Sequence, residues 1–220
     1  IGDIGVFSLH PRKSITTGEG GMITTNHKKF DKSLRILRDH GANMSDFKRH
    51  HGNKPYELCD HTLPGLNQRM TDIQGILGLG QMKRAQKIVN ERRKIANEYN
   101  IAFKNITELK TPFEAKGFIH GYQSYPCLIK IDKLSENEIK EKKIKRNKLM
   151  IKLQKKGIST RPATHAVHML AYYKKKYSFK PNDFLNSFYA NDCSISLPLY
   201  NGMKKSEYNY VIDEVLKILR

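Results

Sequence analysis

FSLHPRKSITTGEGG, residues 7–21, sets an apolar run, a single lysine at position 13 and a glycine-rich turn side by side. The residues leading into it, IGDIGVF, alternate as a strand does, and GGMITTN after it has the same character. Two strands joined by a glycine-bearing turn are therefore expected. A lysine in such a turn is ordinarily a surface residue, but Ser8 stands before it and TTGEGG follows it closely. A hydroxyl and free backbone amides are what a phosphate needs, and an amine beside them can hold an aldehyde cofactor as a Schiff base.

Beyond the turn, KKFDKSLRILRDHG spaces Phe30, Leu34 and Leu37 as one helix face, with Gly41 as its C-terminal cap. Residues 42–66 carry Gly, Asn, Pro, His and Asp without periodicity, which predicts a long loop. TDIQGILGLGQMKRAQKIVNERRKIANEYNIAF then predicts one long helix. Thr71 and Gln74 form its capping box, and Ile88, Ile95, Tyr99 and Phe103 lie along its apolar stripe. Gly75, Gly78 and Gly80 weaken that helix and are expected to admit another backbone closely, unless they are chance composition.

The character of the chain changes near residues 107–121, which divides it into 1–106 and 107–220. In the second part YPCLIKI alternates as a half-buried strand, with Pro126 favouring an edge position. A lysine-rich helix ends at Gly157, SISLPLY supplies a further strand, and a closing helix turns Tyr208, Val211, Val215 and Leu219 inward. The fold class expected is α/β followed by a smaller α+β domain.

Composition limits the function classes. The hydrophobic fraction of 38% is that of a globular chain, and no apolar run approaches the roughly 20 residues of a membrane span. Cys59, Cys127 and Cys193 are odd in number and widely spaced, which argues against a disulfide framework and for a reducing, cytoplasmic setting. His50, His51 and His61 have no ligand-like spacing, so no metal is expected. The net charge of +19 comes mostly from lysines scattered along helices, not from an arginine and aromatic stripe, so specific nucleic-acid binding is not expected.

With these segments in hand, the chain resembles the DegT/DnrJ/StrS family of pyridoxal-phosphate-dependent nucleotide-sugar aminotransferases. The resemblance rests on GDIGVFSLHPRKSITTGEGGMITTN and continues in order through LRILRDHG, GLNQRMTDIQGILGLGQM, TRPATHAVHMLAYY and SLPLYNGM. It implies the C-terminal part of fold type I of the pyridoxal-phosphate enzymes, beginning about midway through the large domain. The N-terminal phosphate contacts and the acidic partner of the pyridine nitrogen would then precede Ile1, and residues 1–220 alone are expected to fold poorly.

The resemblance also assigns roles. Lys13 would carry pyridoxal 5'-phosphate and shuttle the proton, Ser8 would bind its phosphate, and Asn67 would reach the phosphate of the partner in a homodimer with shared active sites. Arg161 and His168 would bind a nucleotide-linked keto-sugar. His165 and Ala166 depart from the aromatic and proline common at those positions. A subgroup of dehydratases has histidine where Lys13 stands, so transamination, with glutamate as amino donor, is expected. The competing expectation is a non-catalytic family remnant or sensing module that keeps the fold. On the residues alone, Ser8 can equally be a strand hydroxyl, Asn67 a turn residue, and Arg161 and His168 surface groups.

Overall fold

The computed structural model describes residues 2–54 and 56–219, apart from the side chain of Asp46. Ile1, expected to open the first strand, and Pro55, within the expected loop, lie outside the described residues. The chain divides into two compact units, Ile1–Ala85 and Gln86–Arg220.

In the first unit β1 (Ile4–Ser8) and β2 (Gly21–Thr25) form the expected antiparallel hairpin, with Val6 opposite Ile23 and Ser8 opposite Gly21. Helix α1 (Lys28–Leu37) follows at the predicted place. Its end is closed by Gly41, whose N–H donates to Ile36 O while φ is +76°. A Cβ there would lie 1.7 Å from Leu63 O, so no other residue fits this crossing of two backbone segments. The expected loop contains one short helix, α2 (Asp46–His51), started by the Ser45 hydroxyl accepting from Lys48 N–H.

The single long helix of the sequence reading is two helices, α3 (Asp72–Met82) and α4 (Ala85–Phe103). The Arg84 N–H bonds Gln81 O three residues back, a tight closure that interrupts the α ladder without any Pro or Gly at the break. The Thr71 and Gln74 capping box is present. The break also marks the unit boundary, so α4 packs within the second unit, whereas the sequence reading grouped it with residues 1–106.

The second unit is α+β. Its sheet has the order β3 (Leu109–Lys110), β4 (Tyr125–Ile129), β5 (Ser194–Leu197), all antiparallel. Pro126 therefore sits on the central strand, not on an edge. The register explains why this is tolerated. Ser196, opposite Pro126, turns its N–H and C=O to Arg161 on the other side, so the Pro126 nitrogen faces away from β5. On that far side β3 pairs only with Leu128 and Ile129, and the missing N–H breaks no ladder bond.

Against the sheet pack α5 (Glu136–Lys155) and α7 (Leu185–Cys193), with α8 (Lys205–Leu219) against α5, while α6 (Ala171–Tyr177), which buries no residue, lies against the 3-10 turn Val167–Met169. α5 ends as predicted, with Gly157 at φ +75° and the N–H groups of Gly157 and Ile158 on Gln154 O and Leu153 O. Tyr125, Cys127 and Ile129 of β4 are buried with Tyr99 and Phe103 of α4, Ile139 and Leu153 of α5, and Val211 and Val215 of α8. The buried phenols keep partners, Tyr99 donating to Pro198 O at 2.9 Å and Tyr125 to Asn100 Oδ1 at 2.6 Å. Arg92 is buried too, and its guanidinium donates to Asn201 Oδ1 and to the carbonyls of Tyr122, Gln123 and Leu199. That one cation fixes α4 to two loops. Among the described residues no helix is long and apolar enough to cross a membrane.

Candidate active site

The turn between β1 and β2 is an ordered structure built on backbone and threonine groups. Leu9 N–H donates to Gly20 O, Thr17 N–H and the Thr16 hydroxyl both donate to Leu9 O, and the Thr17 hydroxyl donates to Glu19 O at 2.7 Å. Thr17 is one of the few buried residues of this unit. Lys13 N–H closes a tight turn on His10 O. The Lys13 side chain is exposed, and among the described residues its amine has no hydrogen bond or ion pair. Ser8 ends β1, and its Oγ accepts from His10 N–H at 3.4 Å.

Helix α3 holds this turn through two glutamines. Gln81 accepts from Thr16 N–H at 3.1 Å and donates to Thr16 O at 2.7 Å, and Gln74 donates to Glu19 O at 2.9 Å. Gln74 thus caps its helix and clamps the turn at once. Gln81 was missed by the sequence reading; its one legible signal is its place seven residues after Gln74, on the same helix face. Of the three helix glycines only Gly78 is close to anything, a Cβ there meeting the Thr17 methyl at 3.0 Å, while Gly75 and Gly80 have open space. The close approach expected of all three is real at one, and to a side chain.

A second expectation is corrected here. The backbone N–H groups of Thr16, Thr17 and Gly18 are not free for a phosphate: they are bonded to Gln81 Oε1, Leu9 O and the Thr16 hydroxyl. These three amides are spent on the rigidity of the turn, while the Ser8 hydroxyl accepts from His10 N–H and the Lys13 amine is exposed.

Asn67 lies in the same unit, on a backbone bridge to Asp39. Its exposed side chain accepts from Arg69 Nε at 3.3 Å, and Arg69 also faces the Asp39 carboxylate at 3.7 Å. The amide is therefore oriented, with its NH₂ group turned away from Arg69.

Arg161 and His168 belong to the second unit. Arg161 pairs with Ser196 through both backbone groups, adding a bridge to the outer edge of β5. Its side chain is exposed, and among the described residues the guanidinium has no partner. His168, expected as a substrate contact or a surface group, is buried. It sits in the 3-10 turn Val167–Met169 with its ring 5.1 Å from that of Phe184 and 6.5 Å from that of Phe179. Its Nε2 is buried without a hydrogen-bond partner. An orphaned polar atom of this kind is costly unless something satisfies it.

The DegT/DnrJ/EryC1/StrS aminotransferase family model matches residues 1–216. The spore coat polysaccharide biosynthesis protein SpsC of Bacillus subtilis is 32% identical over all of this chain and 54% of its own length. GDP-perosamine synthase of Escherichia coli O157:H7 is 31% identical over 98% of this chain and 51% of its own. Among solved structures, PseC of Helicobacter pylori, an aminotransferase involved in the biosynthesis of pseudoaminic acid, superposes with a TM-score of 0.80 at 25% identity, covering 98% of this chain and 53% of that one. The chain spans about half the length of the curated relatives it matches.

Proposed function

The chain belongs to the DegT/DnrJ/EryC1/StrS aminotransferase family, and from that premise we propose that the protein moves an amino group from glutamate to a keto group of a nucleotide-linked deoxysugar, with pyridoxal 5'-phosphate as cofactor. The observation that carries this reading is the unpartnered Lys13 amine on a turn held to α3 at two points, Thr16 by Gln81 and Glu19 by Gln74. The backbone N–H groups of Thr16, Thr17 and Gly18 are spent within the turn or on Gln81, while the Lys13 amine is exposed. The names of the relatives, GDP-perosamine synthase among them, support the nucleotide-sugar class.

The residues fit the cofactor in their donor set: a primary amine for its aldehyde and a hydroxyl for its phosphate, both on one hairpin. When bound, pyridoxal phosphate supplies an electron-withdrawing ring that lets the Cα–H bond of an amino donor ionise. Lys13 holds the cofactor and, once released, takes up and returns that proton at Nζ. Ser8 donates its hydroxyl proton to the phosphate, and Asn67 offers its NH₂ to the phosphate of the partner in a homodimer. Arg161 binds the substrate diphosphate through its planar fork of donors, and His168 Nε2 bonds a substrate hydroxyl. In this reading the cofactor-binding residues lie in the first unit and the substrate contacts in the second, in a cytoplasmic enzyme whose Cys127 and Cys193 remain buried thiols.

Borohydride reduction of the full protein loaded with pyridoxal phosphate, followed by peptide mapping, tests the assignment. The label is expected on Lys13. A label on another lysine overturns it, and no cofactor band at all favours the non-catalytic family module.

A further inference from the structure

The segment from Arg161 to His168 carries both candidate substrate contacts, yet it contains no strand or α-helix of its own. Three attachments fix it. The first is the Arg161 bridge, where Ser196 N–H donates to Arg161 O at 2.7 Å. The second is the Ser194 hydroxyl, which accepts from Ala163 N–H at 3.0 Å. The third is the Asn191 side chain, whose Oδ1 accepts from Ala166 N–H at 2.9 Å. Between and around them Thr164, His165 and Val167 stay exposed, while Ala166 and His168 turn inward.

The two side-chain acceptors are themselves held. Asn191 Nδ2 donates to Asp192 Oδ1 at 2.6 Å, which fixes the amide with its oxygen toward Ala166. Asp192 is buried, with Lys143 at 3.1 Å from its other oxygen. Ser194 is buried at the start of β5, and its carbonyl accepts from Arg146 Nη1 at 3.2 Å. Residues 191–194 thus form a rigid rail with two acceptors aimed outward at loop amides.

We infer that Asn191 and Ser194 are positioning residues that hold the Arg161–His168 segment in the geometry in which it receives a nucleoside diphosphate. The inference rests on the proposed role of Arg161 and His168. Each acceptor removed leaves one loop N–H without its bond and lets the segment leave the rail. The core beneath is untouched, because neither hydroxyl nor amide belongs to the apolar cluster. The cost therefore falls on the fraction of loop competent to bind, and apparent affinity falls with that fraction.

The experiment is calorimetric titration of the full holoenzyme with UDP, dTDP and GDP, alongside steady-state kinetics on a keto-sugar of whichever nucleotide binds. Asn191→Ala and Ser194→Ala are each expected to raise Kd and KM about 3- to 10-fold, with kcat changed by less than about twofold. Ser194→Thr, which keeps the hydroxyl, is expected to restore wild-type affinity. An open cavity of about 330 Å³ bounded by Ser194, Ala163 and Ala190 has room for the added methyl. Should Asn191→Ala fail to fold, the Ser194 pair decides alone. Unchanged Kd in both Ser194 variants, or equal losses in Ala and Thr, overturns the inference. If Arg161→Ala leaves binding unchanged, or if the wild type binds none of the three nucleotides, the reading of the site falls instead. Weakened binding in Arg161→Ala with intact binding in Asn191→Ala and Ser194→Ala defeats the positioning role alone.

Discussion

Within residues 1–220 the two units hold their side chains in different ways. Among the described residues the first buries no apolar side chain: Val6 and Ile73 are 75% exposed and Ile76 72%. Its order comes from a hairpin ladder, helix caps, the Gly41 crossing and the two glutamine clamps. The second contains the whole apolar cluster, with Tyr99, Cys127, Ile139, Leu153 and Ile195 at 0% exposure. Directional hydrogen bonds fix positions without requiring depth, whereas burial supplies stability without fixing any one exposed group. Within residues 1–220, positions in the first unit are therefore fixed by hydrogen bonds and those in the second by burial.

Substitution can break that contrast. The largest effect is expected at Lys13: Lys13→Ala should lower kcat of the full enzyme by about 10²- to 10⁴-fold or more while leaving the urea midpoint of the cofactor-free protein unchanged. A shifted midpoint would mean that the exposed amine has a structural role. Next, Leu153→Ala should cost about 2–5 kcal/mol in urea unfolding, because a fully buried side chain leaves a cavity behind.

A smaller and pH-dependent effect belongs to Glu114. It accepts from Arg93 through both oxygens and from His120 N–H, and these bonds lower its pKa to about 2. A carboxylate whose folded pKa is depressed stabilises the fold above its ordinary value and loses that contribution as pH falls toward the folded one. Glu114→Gln should therefore melt below the wild type at neutral pH, and the two melting curves should converge between about pH 4.5 and pH 2. Persistence of the gap at pH 2 would assign it to packing. The smallest effect is at the exposed Asp31 and Arg35 pair of α1, where Asp31→Ala should cost only about 0.3–0.5 kcal/mol and less in high salt.

Local patterns were legible wherever one segment determines its own conformation. The hairpin, α1, α5 and α8 follow from apolar spacing and glycine ends. The break between α3 and α4 was not, because nothing at Lys83 or Arg84 opposes a helix. Nor was α2, six residues long in a run without periodicity. The loss of the Thr16 amide to Gln81 depends on a residue 65 positions away, and the placement of Pro126 depends on strand register. Of the candidate site, the setting of Lys13 beside Ser8 and a glycine turn is visible in the residues. Asn67, Arg161 and His168 came from family resemblance, and the burial of His168 from neither.

The place of Pro126 bears on self-association. The pairing of Leu109 with Ile129 and Lys110 with Leu128, continued along both strands, would bring Pro112 opposite Pro126. β3 stops before that point, and a foreign strand seeking to extend it along β4 would meet a position that donates nothing, so polymer growth by strand addition is blocked there.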